Sequence, residues 1–253
     1  EIFAGQPYAR TALGTEASIA AMTAEHCRAL TGTHLAAANG VISIFGDVRA
    51  DVVRDQVAAA FARLPQGARH PTASLDFPAS GAPGEWEMRL DKEQAVLVVG
   101  FRTPGLRHAD THALTLIDEA CSDMGSRLFN RLREELGLAY YVGAQAFNAL
   151  GAGAFYFYIG TEAGKIDLAQ KEMLGQIADL AANGLAPDEI TRARTSWRSG
   201  WLRAQQGNSA LADSTGWDEL NGLGHRHFDE LPGIMDAVSA PDIQRVAAAC
   251  FKA

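Results

Sequence analysis

The chain has 253 residues, enough for one large domain or two modest ones with separate cores. Hydrophobic residues make up 47% and charged residues 21%, the balance of a soluble globular protein and not of a disordered one. The formal net charge of −8 disfavours nucleic acid and anionic membrane as partners, and no apolar run reaches the roughly 18 residues that span a bilayer.

The chain opens on Glu1-Ile2-Phe3 with neither a methionine nor a basic-then-apolar leader, so a signal peptide is expected to be removed or never included. Residues 16–33 carry apolar side chains at helical spacing as far as Gly32. Val41-Ile42-Ser43-Ile44-Phe45 has the pattern of a short buried strand closed by a Gly46-Asp47 turn. Residues 50–63 predict an amphipathic helix with Val53, Val57, Ala60, Phe61 and Leu64 on one side. From Pro65 to Trp86 the prolines and glycines leave no room for regular structure, which predicts a linker over 66–86 between a unit at 1–65 and another at 87–253.

In the second unit, the apolar run Ala95–Gly100 predicts a central strand. Helices are expected over 109–124 and 126–136. Strands follow at Tyr140–Phe147 and Ala154–Thr161, joined by a glycine-rich hairpin at 149–153. Long helical patterns fill 165–184, 187–206 and 241–252. The fold class is therefore α+β, a mixed or antiparallel sheet with helices packed on one face. Cys27, Cys121 and Cys250 are far apart and have no histidine at ligand spacing, which predicts buried free thiols.

The run from Gly125 to Tyr140 carries the most chemistry. Ser126 is a good N-cap, Leu128, Phe129, Leu132 and Leu136 form one apolar stripe, and Gly137 stands where a left-handed residue ends a helix. Arg131 has Glu134 and Glu135 at ion-pair spacing on its own helix, whereas Arg133 has no acidic residue at those offsets. A guanidinium at Arg133 and a phenol at Tyr140, on either side of the Gly137 turn, can both donate to a developing oxyanion without changing protonation. A surface arginine and a half-buried strand tyrosine explain the same residues, and residue types alone leave both accounts open.

The run SRLFNRLREELGLAYYV resembles the signature in the second half of insulinase/pitrilysin-type zinc metallopeptidases, including mitochondrial processing peptidase-like bacterial proteins. Phe3-Ala4-Gly5-Gln6-Pro7-Tyr8, Leu13-Gly14-Thr15-Glu16 and Ile44-Phe45-Gly46-Asp47-Val48 resemble the closing third of that family's preceding domain, with Gln6 standing where histidine is usual. The resemblance covers essentially the whole chain in order. It implies a metallopeptidase-like α/β roll preceded by the tail of a similar domain. It also implies that Arg133 and Tyr140, seven positions apart, contact the substrate and stabilise the tetrahedral intermediate. The family's zinc site needs His-x-x-Glu-His, in which two histidines one turn apart share a metal. This chain has only Met22-Thr23-Ala24-Glu25-His26. The resemblance therefore implies no cofactor in this chain, and zinc held by an upstream domain or a partner subunit. The implied partners are that homologous zinc-bearing domain or subunit and an extended peptide substrate, with the periplasm favoured over the cytoplasm. A non-proteolytic scaffold or inactive partner subunit of the same fold is the alternative.

Other polar clusters carry less. His108 and His112 lie one turn apart without a third ligand, which suits a capped helix start better than a metal. His225, His227 and Asp229 read as a loop. Phe155-Tyr156-Phe157-Tyr158 alternates across a strand, core on one face and a neighbour or a peptide on the other, and Trp197 and Trp201 share one helix face.

Overall fold

The computed structural model describes residues 2–3, 7–69 and 84–252, so most of the expected linker at 66–86 lies outside the described residues. By internal contacts the chain divides into two compact units, one of Phe3–Ala73 with Leu202–Asp229 and one of Ser74–Trp201 with Glu230–Ala253. Residues 202–229 thus group with the first unit, although the linker position assigns them to a domain running from 87 to 253.

The first unit contains α1 (Glu16–Ala20), α2 (Ala24–His34) and α3 (Ala50–Ala60). The single helix expected over 16–33 is interrupted because it holds two start signals. Thr15 caps α1 with Ser18, and Thr23 caps α2 with His26, each a reciprocal capping box. His26 is therefore a cap residue, its Nδ1 accepting the Thr23 N–H at 3.3 Å. No strand forms over 41–45. Among the described residues this segment has no ladder partner, and Val41, Ile42, Ile44 and Phe45 are exposed, so its apolar pattern has nothing to pair with. Cys27 is likewise exposed, against expectation.

The second unit is built on a three-stranded antiparallel sheet: β1 (Gln94–Thr103), β2 (Tyr141–Asn148) and β3 (Gly153–Glu162), in the order β1-β3-β2. β3 is the central strand and β1 an edge, which corrects the expectation for Ala95–Gly100. The apolar run there alternates between Leu97 and Val99, packed on the core, and Val96 and Val98, exposed on the other face. Phe155, Phe157 and Ile159 of β3 point into the core. Phe101, Phe155 and Phe157 surround Phe251 with ring centroids 5.0–5.3 Å away. Helices α4 (Asp110–Ser122), α5 (Ile166–Asn183) and α9 (Ala240–Cys250) add Leu114, Ile117, Met173, Ile177, Ile243 and Val246 to the same core. The α+β architecture with helices on one face of an antiparallel sheet holds.

The outer sheet face carries Tyr141, Tyr156 and Tyr158. The Tyr141 ring lies so close over Gly160 that a Cβ there would stand 2.4 Å from it. The outer edge of β2 is occupied from the side by α4. Asp118 accepts the Ala146 N–H at 3.0 Å, and Ser122 accepts that of Ala144 at 3.3 Å. Three helices complete the chain: α6 (Pro187–Ala204), α7 (Asn208–Leu220) and α8 (His227–Ala237). On α6, Trp197 and Trp201 stack with centroids 6.5 Å apart and planes 20° apart. No periodic pattern announces α7 or α8, and α8 holds Pro232 inside it.

Candidate functional site: the helix, turn and strand from Ser126 to Tyr141

The segment begins at Ser126, fully buried, whose hydroxyl accepts the Phe129 N–H at 3.1 Å as an N-cap should. Residues Phe129–Glu135 then form a π-helix, a wider turn than the α-helix the apolar stripe suggests and one frequent at functional sites. Leu128 and Leu132 are buried and fix its inner side. Gly137 takes φ +59°, with its N–H on the Arg133 carbonyl at 3.1 Å. The Leu138 N–H reaches back to the Leu132 carbonyl at 2.8 Å. This is a left-handed helix stop of the kind glycine favours. The chain enters β2 with the Tyr140 N–H on the Gly160 carbonyl at 2.9 Å.

Three arginines on this segment meet different fates. Arg127, nearly buried, donates Nε and Nη2 to Glu189 at 2.9 and 2.5 Å. It also donates Nη1 to Asp179 at 2.9 Å and Nη2 to the Gly184 carbonyl at 3.1 Å. Those bonds tie the start of the segment to α5 and α6, and the Glu189 carboxylate holds the guanidinium above its ordinary pKa. Arg131 pairs with Glu135 at 2.8 Å, as its spacing predicts, and also with Glu172 on α5 at 2.9 Å; Glu134 takes no part. Arg133 makes no hydrogen bond or ion pair through its guanidinium among the described residues. It is exposed and lies over the Phe129 ring, 4.9 Å from the centroid. Tyr140 is 52% exposed. Both expected site residues thus sit, exposed, on one anchored connection. The contact between Phe129 and Arg133 is written in their i, i+4 spacing, although charge pairing alone overlooks it.

The remaining polar clusters have structural roles. His108 Nδ1 accepts the Asp110 N–H at 3.2 Å at the start of α4. His227 Nδ1 stands 3.0 Å from Asp218, an aspartate buried at the end of α7. Among the described residues no three of His, Cys, Asp and Glu come together as a group that could hold a metal ion.

A sequence model described as the peptidase M16 inactive domain matches residues 21–196. An uncharacterized zinc protease of Rickettsia bellii is 30% identical over 99% of this chain, and one of Streptomyces coelicolor is 29% identical over 97%. The chain spans only 60% and 55% of those relatives. In fold it is similar to a peptidase M16 inactive domain from Pseudomonas fluorescens, with a TM-score of 0.83 at 20% identity over 97% of this chain and 58% of that one. A protease from Helicobacter pylori superposes with a TM-score of 0.76 at 15% identity, over 98% of this chain and 60% of that one. With seven tenths of its length matched by that sequence model, the chain belongs to the peptidase M16 inactive-domain family, the insulinase/pitrilysin type of zinc metallopeptidase.

Proposed function

We propose that this chain is the substrate-binding, catalytically incomplete portion of a zinc metallopeptidase acting on peptides. Arg133 and Tyr140 donate to the scissile carbonyl, and the zinc that activates water is held by another domain or subunit. The observation that carries this reading is the contrast among the arginines. Arg127 and Arg131 spend their donors on carboxylates, whereas Arg133 keeps its donors for a ligand. A guanidinium and a phenol both strengthen their hydrogen bonds as the carbonyl oxygen gains negative charge, which stabilises the transition state more than the bound peptide.

The first unit supports the need for a partner. None of the residues in α1, α2 or α3 is buried, and Leu13, Ile19, Leu30 and Ile42 are more than half exposed. Residues 1–65 are read as the closing part of a domain whose core is completed by the zinc-bearing portion, with 66–86 connecting it to the unit that binds peptide. No described helix is long and apolar enough to cross a membrane. The compartment proposed is the periplasm, tested by cell fractionation.

The test is peptide hydrolysis by the chain joined to, or paired with, its zinc-bearing portion. Tyr140→Phe keeps the ring and removes one donor, and turnover should fall roughly 100-fold or more. Arg133→Lys should not restore activity, because a point charge does not reproduce the planar fork. Near-normal turnover in both folded variants would withdraw the role of the two donors, whereas no hydrolysis by the parent protein paired with its zinc-bearing portion would leave the scaffold or inactive-subunit reading.

A further inference from the structure

We infer that Phe129 is a positioning residue that holds the Arg133 guanidinium ready for the substrate carbonyl, an inference that rests on the reading of Arg133 given above. A flexible arginine at a helix end has to be ordered before it can donate usefully, and the usual device is a carboxylate partner. That device consumes the donor fork and cancels the charge, as at Arg127 and Arg131. At Arg133 the partner is an aromatic face, 4.9 Å from the guanidinium carbon. The face attracts the cation through the ring's quadrupole and restrains the plane of the guanidinium, while the N–H donors, which lie in that plane, remain available.

The ring itself is held. Its backbone N–H is bonded to the buried Ser126 hydroxyl, its neighbours Leu128 and Leu132 are buried, and the Phe129 side chain is half-buried. Beyond Arg133, the Gly137 N–H bonds to the carbonyl of Arg133 itself, so the backbone under the arginine is tied at both ends. The series from Ser126 through Phe129 to Arg133 transmits the rigidity of the core to one exposed cation.

The experiment is a double-mutant cycle on the complete enzyme, zinc-bearing portion included, with peptide hydrolysis as the assay. Phe129→Leu keeps an apolar side chain and removes the aromatic face, and kcat should fall about two- to five-fold, the range set by one exposed cation–π contact. Phe129→Tyr keeps the face and should retain the parent kcat. In an Arg133→Met background, Phe129→Leu should cost nothing further, because there is no cation left to position. Should Phe129→Leu lower the melting temperature, Phe129→Met takes its place in the cycle. An undiminished loss in the Arg133→Met background would make Phe129 a packing or substrate contact and overturn this inference alone. So would an unchanged kcat in Phe129→Leu where Arg133→Met is impaired. An Arg133→Met enzyme with full activity would remove the role of Arg133 and this inference with it.

Discussion

Replacing Arg127 by methionine tests how the site-bearing segment is fastened to the core. The substitution deletes four hydrogen bonds, two to Glu189 and one each to Asp179 and the Gly184 carbonyl. Glu189, 8% exposed, is then left as a buried charge whose remaining bond is the Ala186 N–H at 2.8 Å. Removing one partner of a buried pair costs about 3–5 kcal/mol. The Asp179 contact adds little, since that side chain is 53% exposed. Water reaches part of Arg127, which places the loss near the lower end, about 3 kcal/mol. For a unit of this size the melting temperature should fall by roughly 6–12 °C. Near-ultraviolet circular dichroism of the stacked Trp197 and Trp201 pair gives a local probe of urea unfolding. Adding Glu189→Gln should recover about 1–2 kcal/mol, because the stranded charge is gone while an amide oxygen still accepts from Ala186. A loss below about 1 kcal/mol in Arg127→Met, or a further loss in the double mutant, would refute this account.

Other perturbations follow from the same structure. Gly137→Ala meets no side chain but must hold φ +59°, so it should cost about 1 kcal/mol in a thermal melt of the chain. Burial pushes the Asp118 carboxyl above its ordinary pKa, so the folded state retains a proton that the unfolded chain releases, and stability falls as pH rises from the unfolded value through the folded one. Asp118→Asn should flatten that fall in melts at pH 4 and pH 7. Asp110 has the opposite sign: the Arg245 guanidinium holds its carboxyl below the usual range, so its stabilisation is present above the unfolded value and lost in acid. Asp110→Asn should cost about 1 kcal/mol at pH 7, Arg245 being 56% exposed, and should leave acid unfolding less steep. In native alkylation followed by mass spectrometry, exposed Cys27 should react first and Cys250, pushed up to about 11, slowly. Cys121, fully buried and pushed up to about 12, should react only on unfolding.

The sheet of the second unit was legible because its strands carry a buried core face at period two, with Phe155, Phe157 and Ile159 as the clearest case. The short apolar run Val41–Phe45 misled, because such a run reports a preference for burial and not the presence of a partner strand. The segment from Ser126 to Tyr140 could be placed from its cap, stripe and glycine stop. Its π-helical winding could not, since the wider turn leaves no mark in residue types or spacing. Elimination of local ion pairs singled out Arg133. It could not reveal that Arg127 binds a glutamate 62 residues away, because sequence spacing speaks only for neighbours on one element. Helices α7 and α8 escaped notice behind glycines and an internal proline.

The way α4 closes the side of β2 has a consequence for crowding at high concentration. A three-stranded sheet has two flanks along which a foreign strand can add, and each addition extends a ladder that can continue from molecule to molecule. With Asp118 and Ser122 already bonded to the amides of Ala146 and Ala144, a newcomer on that flank would first have to dislodge a half-buried carboxylate and a helix end. Among the described residues β1 pairs only with β3, and its exposed Val96 and Val98 lie in a row. Among the described residues β1 is therefore the flank left for strand addition, and a lysine at Val96 or Val98 is the substitution that would guard it.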